Sequence, residues 1–229
     1  VDPEQLRKVA QIVNQDRGEP HAVVTISNEF HLNVLSNGFV GHFVHYWLSP
    51  HQMDGFDRVL HPLLPVTRYR LVVDRVHMPA ELSGQEVEMW LNARLHRFAA
   101  DWVGGGYQVF GYLTPRADMV LEPVSYRSES GIALLAYGMI PRSVRPGDPI
   151  WLTFECASAR EQEEDYDIFL QLLAPDGHFV NGTDGAPQFG AMPTSLWKPG
   201  ITVVDRRAVF VPQNAAAGTY RAIAGFYRD

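Results

Sequence analysis

The chain has 229 residues, of which 46% are hydrophobic and 20% charged, and its formal net charge is −7. This length suits one large or two small domains, and the composition is typical of a folded globular protein. Because the 19 Lys and Arg residues are dispersed among 26 Asp and Glu residues, no nucleic-acid-binding surface is expected. No run approaches the roughly 18 apolar residues of a membrane span.

The chain begins at Val1 without an initiator Met, which indicates either a fragment of a longer protein or a processed terminus. It starts without the basic, apolar and small-residue regions of a signal peptide. Its single cysteine, Cys156, excludes a disulfide within the chain and a Cys-based zinc site. Since Cys156 lies in an apolar run, we expect a buried, inert thiol.

The first half alternates between helix and strand patterns. Asp2 and Pro3 predict the start of a helix that Gly18 ends. Residues 28–41 fit a helix, although Asn37-Gly38 also suits a hairpin turn. Further helices are predicted at 56–63 and, behind a capping box at Ser83, at 84–102. The predicted strands of this half are 22–27, 42–48, 69–76 and 107–113.

After about residue 117 the pattern changes to short apolar or alternating runs separated by turn residues, which is typical of a β-sandwich. The predicted strands are 132–140, 150–157, 166–173, 203–211 and 219–227. The sequence therefore predicts an α/β domain over residues 1–116 and a β-sandwich over 117–229. The first is expected to be a small three-layer α/β domain with a parallel sheet.

Polar residues follow the predicted strands of the first domain, where parallel sheets place their ligands. The expected crevice comprises Asn28, Glu29, His31, His51, Asp74, Arg75 and His77. Asp74 and His77 are candidates for an acid–base pair, although a strand-end Asp also forms ion pairs or caps the next segment. We assign no catalytic residue, because the chain lacks nucleophile-elbow, phosphate-loop and dinucleotide-binding patterns.

Eight of the nine histidines lie in the first domain, which raises the possibility of a metal site. His42 and His45 point to opposite faces of a strand, however, so they cannot chelate one ion together. No metal and no other cofactor is therefore expected. In the second domain, Trp197 beside Lys198-Pro199-Gly200 is expected to be exposed and is a candidate for stacking on a sugar ring. The acidic run 161–167 is interpreted as a solvated loop rather than a calcium site.

Several segments together resemble a known arrangement. Residues 27–31, 45–50 and 71–76, with the helix 84–102, resemble the extracytoplasmic region of bacterial polytopic glycosyltransferases of the GT-C type, relatives of the protein mannosyltransferases. Residues 169–177, 193–200 and 218–221 are similar to a β-sandwich appended to some such chains. The resemblance spans nearly the whole sequence through strand, turn and packing motifs.

Family membership would imply a parent enzyme that transfers a sugar from a polyprenyl-phosphate donor, with its catalytic acid between membrane helices outside this chain. The resemblance thus implies a non-catalytic accessory domain at the extracytoplasmic face of the membrane. Its partners would be the upstream membrane part and a glycan or polyprenyl-linked sugar. The alternatives are a carbohydrate-binding module and a hydrolase or transferase with a site at the strand ends.

Overall fold

The computed structural model describes residues 2–16, 21–27, 37–41, 43–48, 58, 67–76 and 85–228. Its contacts divide the chain into two units, residues 1–91 with 99–114, and residues 92–98 with 115–229. The first contains helices and strands and the second is built from strands, so the predicted class of α/β plus all-β is confirmed.

The first unit begins with helix α1 (Pro3–Val13), whose N-cap is the predicted Asp2. The Asp2 side chain accepts a hydrogen bond from the Glu4 backbone N at 2.9 Å, which satisfies one of the free donors of the first turn. One face of α1 packs on the sheet through Val9 and Val13, both fully buried. The other elements of this region are β1 (His21–Ile26), β2 (Phe43–Leu48), β3 (Arg68–Asp74), α2 (Gln85–Arg94), β4 (His96–Val103) and β5 (Tyr107–Leu113).

The sheet of the first unit is mixed, whereas the sequence predicts a parallel one. β1 pairs in parallel with β2 and β3, but β5 pairs antiparallel with β3. The reason is the turn at Gly104 to Gly106, which reverses the chain between β4 and the neighbouring β5. Gly104 has φ of 59° there, a conformation that glycine adopts without steric cost.

The predicted helix 84–102 is wrong beyond Arg94, because residues 96–103 form strand β4. Leu95, Phe98 and Trp102 have helical spacing, yet Trp102 is 61% exposed and Phe98 packs edge-to-face on Phe210. α2 ends where the Arg206 guanidinium donates to the Ala93 carbonyl at 2.6 Å. A cation at this position satisfies a free carbonyl and complements the negative end of the helix dipole.

The second unit is a β-sandwich. Over residues 92–98 and 115–228, one sheet has the order β4-β11-β8-β7-β6, in which Arg97 of β4 pairs with Arg207 of β11, and the other the order β10-β9-β12. The strands are β6 (Glu122–Arg127), β7 (Ile132–Ile140), β8 (Pro149–Ser158), β9 (Asp167–Leu173), β10 (Phe179–Thr183), β11 (Thr202–Phe210) and β12 (Arg221–Tyr227). The sequence predicts five of these and misses β6 and β10, which are short, polar and Pro- or Gly-containing.

The two sheets of the sandwich share one apolar core. Leu170 and Leu172 from one sheet pack with Leu152, Phe154 and Val209 from the other, and all five are at most 5% exposed. In β9 these inward residues alternate with half-buried ones, as expected for a strand with one face in the core. The core therefore follows the period-two pattern from which the sandwich is predicted.

A buried ion pair joins β11 to the long loop after β10. Asp205 and Arg207 are both fully buried, and Arg207 Nε donates to Asp205 Oδ1 at 2.7 Å. The same guanidinium donates to the carbonyls of Ile168 (3.1 Å) and Gly185 (2.9 Å), while Asp205 Oδ2 accepts from the Gln188 backbone N at 2.7 Å. Each buried charge thus has several hydrogen-bond partners, as a buried ion pair requires.

We expect Arg207→Ala to lower the free energy of unfolding by about 3 to 5 kcal/mol, because it leaves the Asp205 carboxylate buried and unpaired. The measurement is urea denaturation followed by circular dichroism at pH 7. Arg145→Ala is the matched control, since Arg145 is exposed and its removal uncovers no buried charge. Equal stability of the two variants would contradict a structural role for the pair.

Candidate functional site

The carboxyl ends of β1 and β3 lie side by side, as neighbouring parallel strands require. Asp74 ends β3, is fully buried, and accepts hydrogen bonds from Ser27 Oγ (3.1 Å) and the Val76 backbone N (3.2 Å). Burial and the Asp74 charge together raise the pKa of Tyr107, which lies opposite on β5. Asp74 therefore organises the backbone at the strand end.

Arg75, the next residue, is half-buried between two elements. Its Nη2 donates to Glu88 Oε2 of α2 at 2.8 Å and to Gln108 Oε1 of β5 at 2.9 Å. These contacts link α2 to β5 near the carboxyl end of β3. The remaining members of the predicted crevice lie outside the described residues, so the crevice stays a prediction; they are Asn28, Glu29, His31, His51 and His77.

His45 lies on β2, and its imidazole contacts other residues of the first unit. Its Nε2 lies 2.9 Å from Thr25 Oγ1 and its ring packs edge-to-face on Phe39. Burial lowers the pKa of His45, so its neutral form is favoured. His42 lies outside the described residues, and the described part of the chain contains no group of three residues placed to hold a metal ion.

Cys156 is buried in the sandwich core at 1% exposure, as predicted. Burial raises the pKa of its thiol, with a further contribution from the Asp205 carboxylate. The thiol therefore stays protonated at neutral pH and is a poor nucleophile.

The expected exposure of Trp197 is wrong. The indole is 1% exposed, donates from Nε1 to the Met192 carbonyl at 2.8 Å, and packs edge-to-face on Phe226. The short 3₁₀ turn Thr194–Leu196 directs Leu196 outward and the following Trp197 inward. The turn residues 198–200 suggested a surface position, but a buried ring has no free face for a sugar.

The acidic run between β8 and β9 is used in local contacts. Glu161 pairs with Lys198 at 2.9 Å, and Glu164 pairs with Arg228. Asp165 accepts from the Ser195 backbone N at 2.8 Å, which holds the 3₁₀ turn before Trp197. The run that the sequence analysis interprets as a solvated loop thus contacts neighbouring parts of the sandwich through these three carboxylates.

A cleft of about 600 Å³ opens at one end of the sandwich, between the β7–β8 and β11–β12 connections. Its walls are mainly aliphatic, with one aromatic ring, and include Met139, Val144, Ile150, Leu172, Val211 and Tyr220. The Tyr220 hydroxyl donates to the Ala216 carbonyl at 2.9 Å, which fixes the ring in the wall. This volume lies within the range of small-molecule sites, which are commonly apolar with a few polar groups at defined positions.

Two arginines and a serine lie at the cleft, all on the β7–β8 connection. Arg142 pairs with Glu122, whereas the Arg145 guanidinium has no hydrogen bond or ion pair within the described part of the chain. Ser143 lies between them. The sequence analysis missed this site because its residues come from four strands and two connections, and no local motif marks them.

His96, which follows α2, is another buried ionisable group of the sandwich. It is 1% exposed, and its Nε2 lies 2.9 Å from Thr153 Oγ1. Its Nδ1 is buried and has no hydrogen-bond partner among the described residues. Burial, with a smaller contribution from the Arg206 charge, lowers the pKa of His96 to about 3. The imidazole is therefore neutral at physiological pH.

Among the described helices, none combines the length and apolar character needed to cross a membrane.

No family model matches the chain, and no curated protein matches it significantly. Among solved structures, it has slight similarity to an endonuclease/exonuclease/phosphatase from Beutenbergia cavernae, at 11% identity and a TM-score of 0.22 over 78% of this chain and 60% of that one. The variable domain of the AgI/II polypeptide BspA of Streptococcus agalactiae gives 11% identity and a TM-score of 0.16 over 55% and 70%. These similarities are too low to support a functional argument.

The low pKa of His96 makes stability depend on pH. Between pH 6.5 and about 3 the unfolded chain binds a proton at this histidine and the folded chain does not, so stability is complete above pH 6.5 and falls as the pH is lowered. We expect His96 to contribute a loss of about 2 kcal/mol between pH 7 and pH 5. The free energy of unfolding of His96→Gln, measured by urea denaturation, should therefore fall by about 2 kcal/mol less than that of wild type over this pH range. His178→Gln, at an exposed position, controls for the removal of one histidine; an unchanged pH dependence in His96→Gln would contradict the assignment.

Proposed function

We propose that the chain is a non-catalytic recognition domain of a polytopic membrane glycosyltransferase, placed at the extracytoplasmic face and acting with the upstream membrane part of the same protein. The observation that carries the proposal is the apolar cleft of the sandwich with arginines at its rim. The sequence resemblance to GT-C enzymes supplies the context, and the cleft supplies a surface on which a lipid-linked sugar can be held.

The cleft suits an amphipathic anion. Its aliphatic walls favour an isoprenoid chain, since burying apolar surface stabilises by about 25 cal/mol per Å². A phosphate at the rim would accept hydrogen bonds from the Arg145 guanidinium and the Ser143 hydroxyl, and hydrogen bonds to charged groups are the stronger ones. A polyprenyl-phosphate-linked sugar, with its chain in the cleft and its phosphate at Arg145, combines these two requirements.

The contacts of the described ionisable groups support a binding role over an enzymatic one. Asp74 holds a strand end, Asp205 and Arg207 hold a loop, and Cys156 is a protonated buried thiol. The burial of Trp197 counts against the carbohydrate-binding module proposed around its ring. A strand-end enzyme site would depend on His77 and Glu29, which lie outside the described residues.

We also propose that the first unit is a three-layer α/β domain that ends near the expected boundary at residue 116, with residues 92–98 belonging to the sandwich. Val23 and Val24 point to opposite faces of β1 and both are fully buried. α1 covers the face that contains Val23. The full burial of Val24 supports a second covering layer, as expected for a strand of a doubly covered sheet.

We expect the chain to bind farnesyl phosphate, a soluble short polyprenyl phosphate, saturably in isothermal titration calorimetry. Farnesol and inorganic phosphate, each with half of the ligand chemistry, should bind more weakly. Arg145→Glu should weaken farnesyl phosphate binding by about 10-fold or more, because it removes a charge-assisted hydrogen bond. Arg127→Glu, an equal charge change at an exposed position of β6, is the matched control.

Equal binding by Arg145→Glu and Arg127→Glu, or no binding by wild type, would refute the cleft as the recognition site. Sugar transfer from a polyprenyl-phosphate donor catalysed by the chain itself would refute the non-catalytic role. The two assays are independent, so each half of the proposal can fail separately.

A further inference from the structure

β12 is an edge strand of the sandwich with one unpaired side. All seven of its residues, Arg221 to Tyr227, pair with β9 in a continuous antiparallel register without a shift. On its other side no strand lies within the described residues, since the order of this sheet is β10-β9-β12. Its side chains are accessible too: residues 221–224 are exposed, and Ile223 is 39% exposed.

Among the other outer strands of the sandwich, β11 has β4 as its neighbour, and β6 and β10 are interrupted in ways that oppose further pairing. β6 contains Pro123 and a register shift between Pro123 and Tyr126. β10 has five residues and a register shift between Phe179 and Asn181. Proteins commonly protect edge strands with prolines, bulges and short lengths. The regular register of β12 therefore distinguishes it as a template for strand addition.

We propose that β12 is a self-association surface, which pairs antiparallel with β12 of a second copy about a two-fold axis at Ala224. In this register large residues lie opposite small ones. Phe226 faces Ala222 on the inner side of the sheet, and Ile223 faces Gly225 on the outer side. Such isologous pairing closes on itself, as the interfaces of symmetric dimers do.

The neighbours of β12 fit these pairs on both faces. On the outer face, the Phe169 ring covers Gly225, where an added Cβ would lie 2.7 Å from Phe169 Cε1. Ile223 of the second copy, opposite Gly225, would thus pack beside an aromatic ring. On the inner face, Ala222 lines the 600 Å³ cleft and Ala224 lines a second cavity of about 210 Å³. The small side chains leave space for those of an added strand.

Charge supports the same register. Arg221 is exposed and has no hydrogen bond or ion pair within the described part of the chain. In the proposed dimer it lies opposite Tyr227, whose hydroxyl donates to Asp184 Oδ2 at 3.2 Å. Arg221 of each copy is therefore placed beside the Tyr227 ring of the other, and a guanidinium over an aromatic face is a favourable contact. The symmetry repeats this contact at both ends of the strand pair.

The test is sedimentation velocity of the whole chain from about 1 µM to about 500 µM, because an interface of one strand pair is small and its affinity is expected to be modest. Wild type should shift from monomer to dimer over this range. Arg221→Glu should weaken dimerisation at least 10-fold because it removes the cation from the Tyr227 ring. Tyr227→Lys should weaken it similarly because it places two cations opposite each other, and the double variant, which creates a Glu–Lys pair across the strands, should restore it. Arg127→Glu controls for net charge, and circular dichroism confirms folding.

Recovery in the double variant would support this register specifically, since general destabilisation by one substitution cannot be reversed by a second. A wild type that stays monomeric throughout would overturn the proposal. So would a dimer that both single variants leave intact, because another surface would then be responsible. Assembly beyond the dimer would also overturn it, since two-fold pairing closes.

Discussion

The sandwich depends on one buried ion pair, Arg207 with Asp205. Two charges removed from water are tolerated only when each is fully hydrogen-bonded. Here the partners come from β9, from the loop that follows β10 and from β11 itself. The guanidinium also lies 4.5 Å from the Phe189 ring, and the Arg97 guanidinium lies 4.2 Å from the same ring. The Arg207 side chain thus joins both sheets to the long loop, and Phe189 of that loop contacts Arg97 of the segment after α2.

This pair also explains an unusual backbone conformation. Gln188 and Phe189 have φ of 50° and 52°, in the left-handed region that costs free energy for a residue with a bulky side chain. The Gln188 backbone N and side chain are held by Asp205 and the Val204 carbonyl, and Phe189 is held between two guanidinium groups. The surrounding contacts compensate for the strain. The loop is consequently shaped by β11 more than by its own sequence.

Elements with strong local signals could be predicted from the sequence. Asp2 and Pro3 mark the start of α1, and alternating apolar residues mark β8 and β9, because capping and strand period depend on neighbouring residues only. The boundary between α2 and β4 could not be predicted, since Leu95, Phe98 and Trp102 fit a helix equally well. The last turn of that helix is in contact with Arg206, more than one hundred residues away in the chain. The prediction that Trp197 is exposed failed for a similar reason. Met192 and Phe226 contact the buried indole, and no local sequence pattern indicates either contact.

The division of contacts has a consequence for dissecting the protein. The chain enters the second unit at residues 92–98, returns to the first at 99–114, and then enters the second again. A fragment starting at residue 115 would therefore lack Arg97, His96 and Phe98, and with them neighbours of Phe189, Thr153 and Phe210. The two units are interleaved in sequence, so no single proteolytic cleavage and no single truncation point yields a fragment that contains all of the sandwich and none of the first unit.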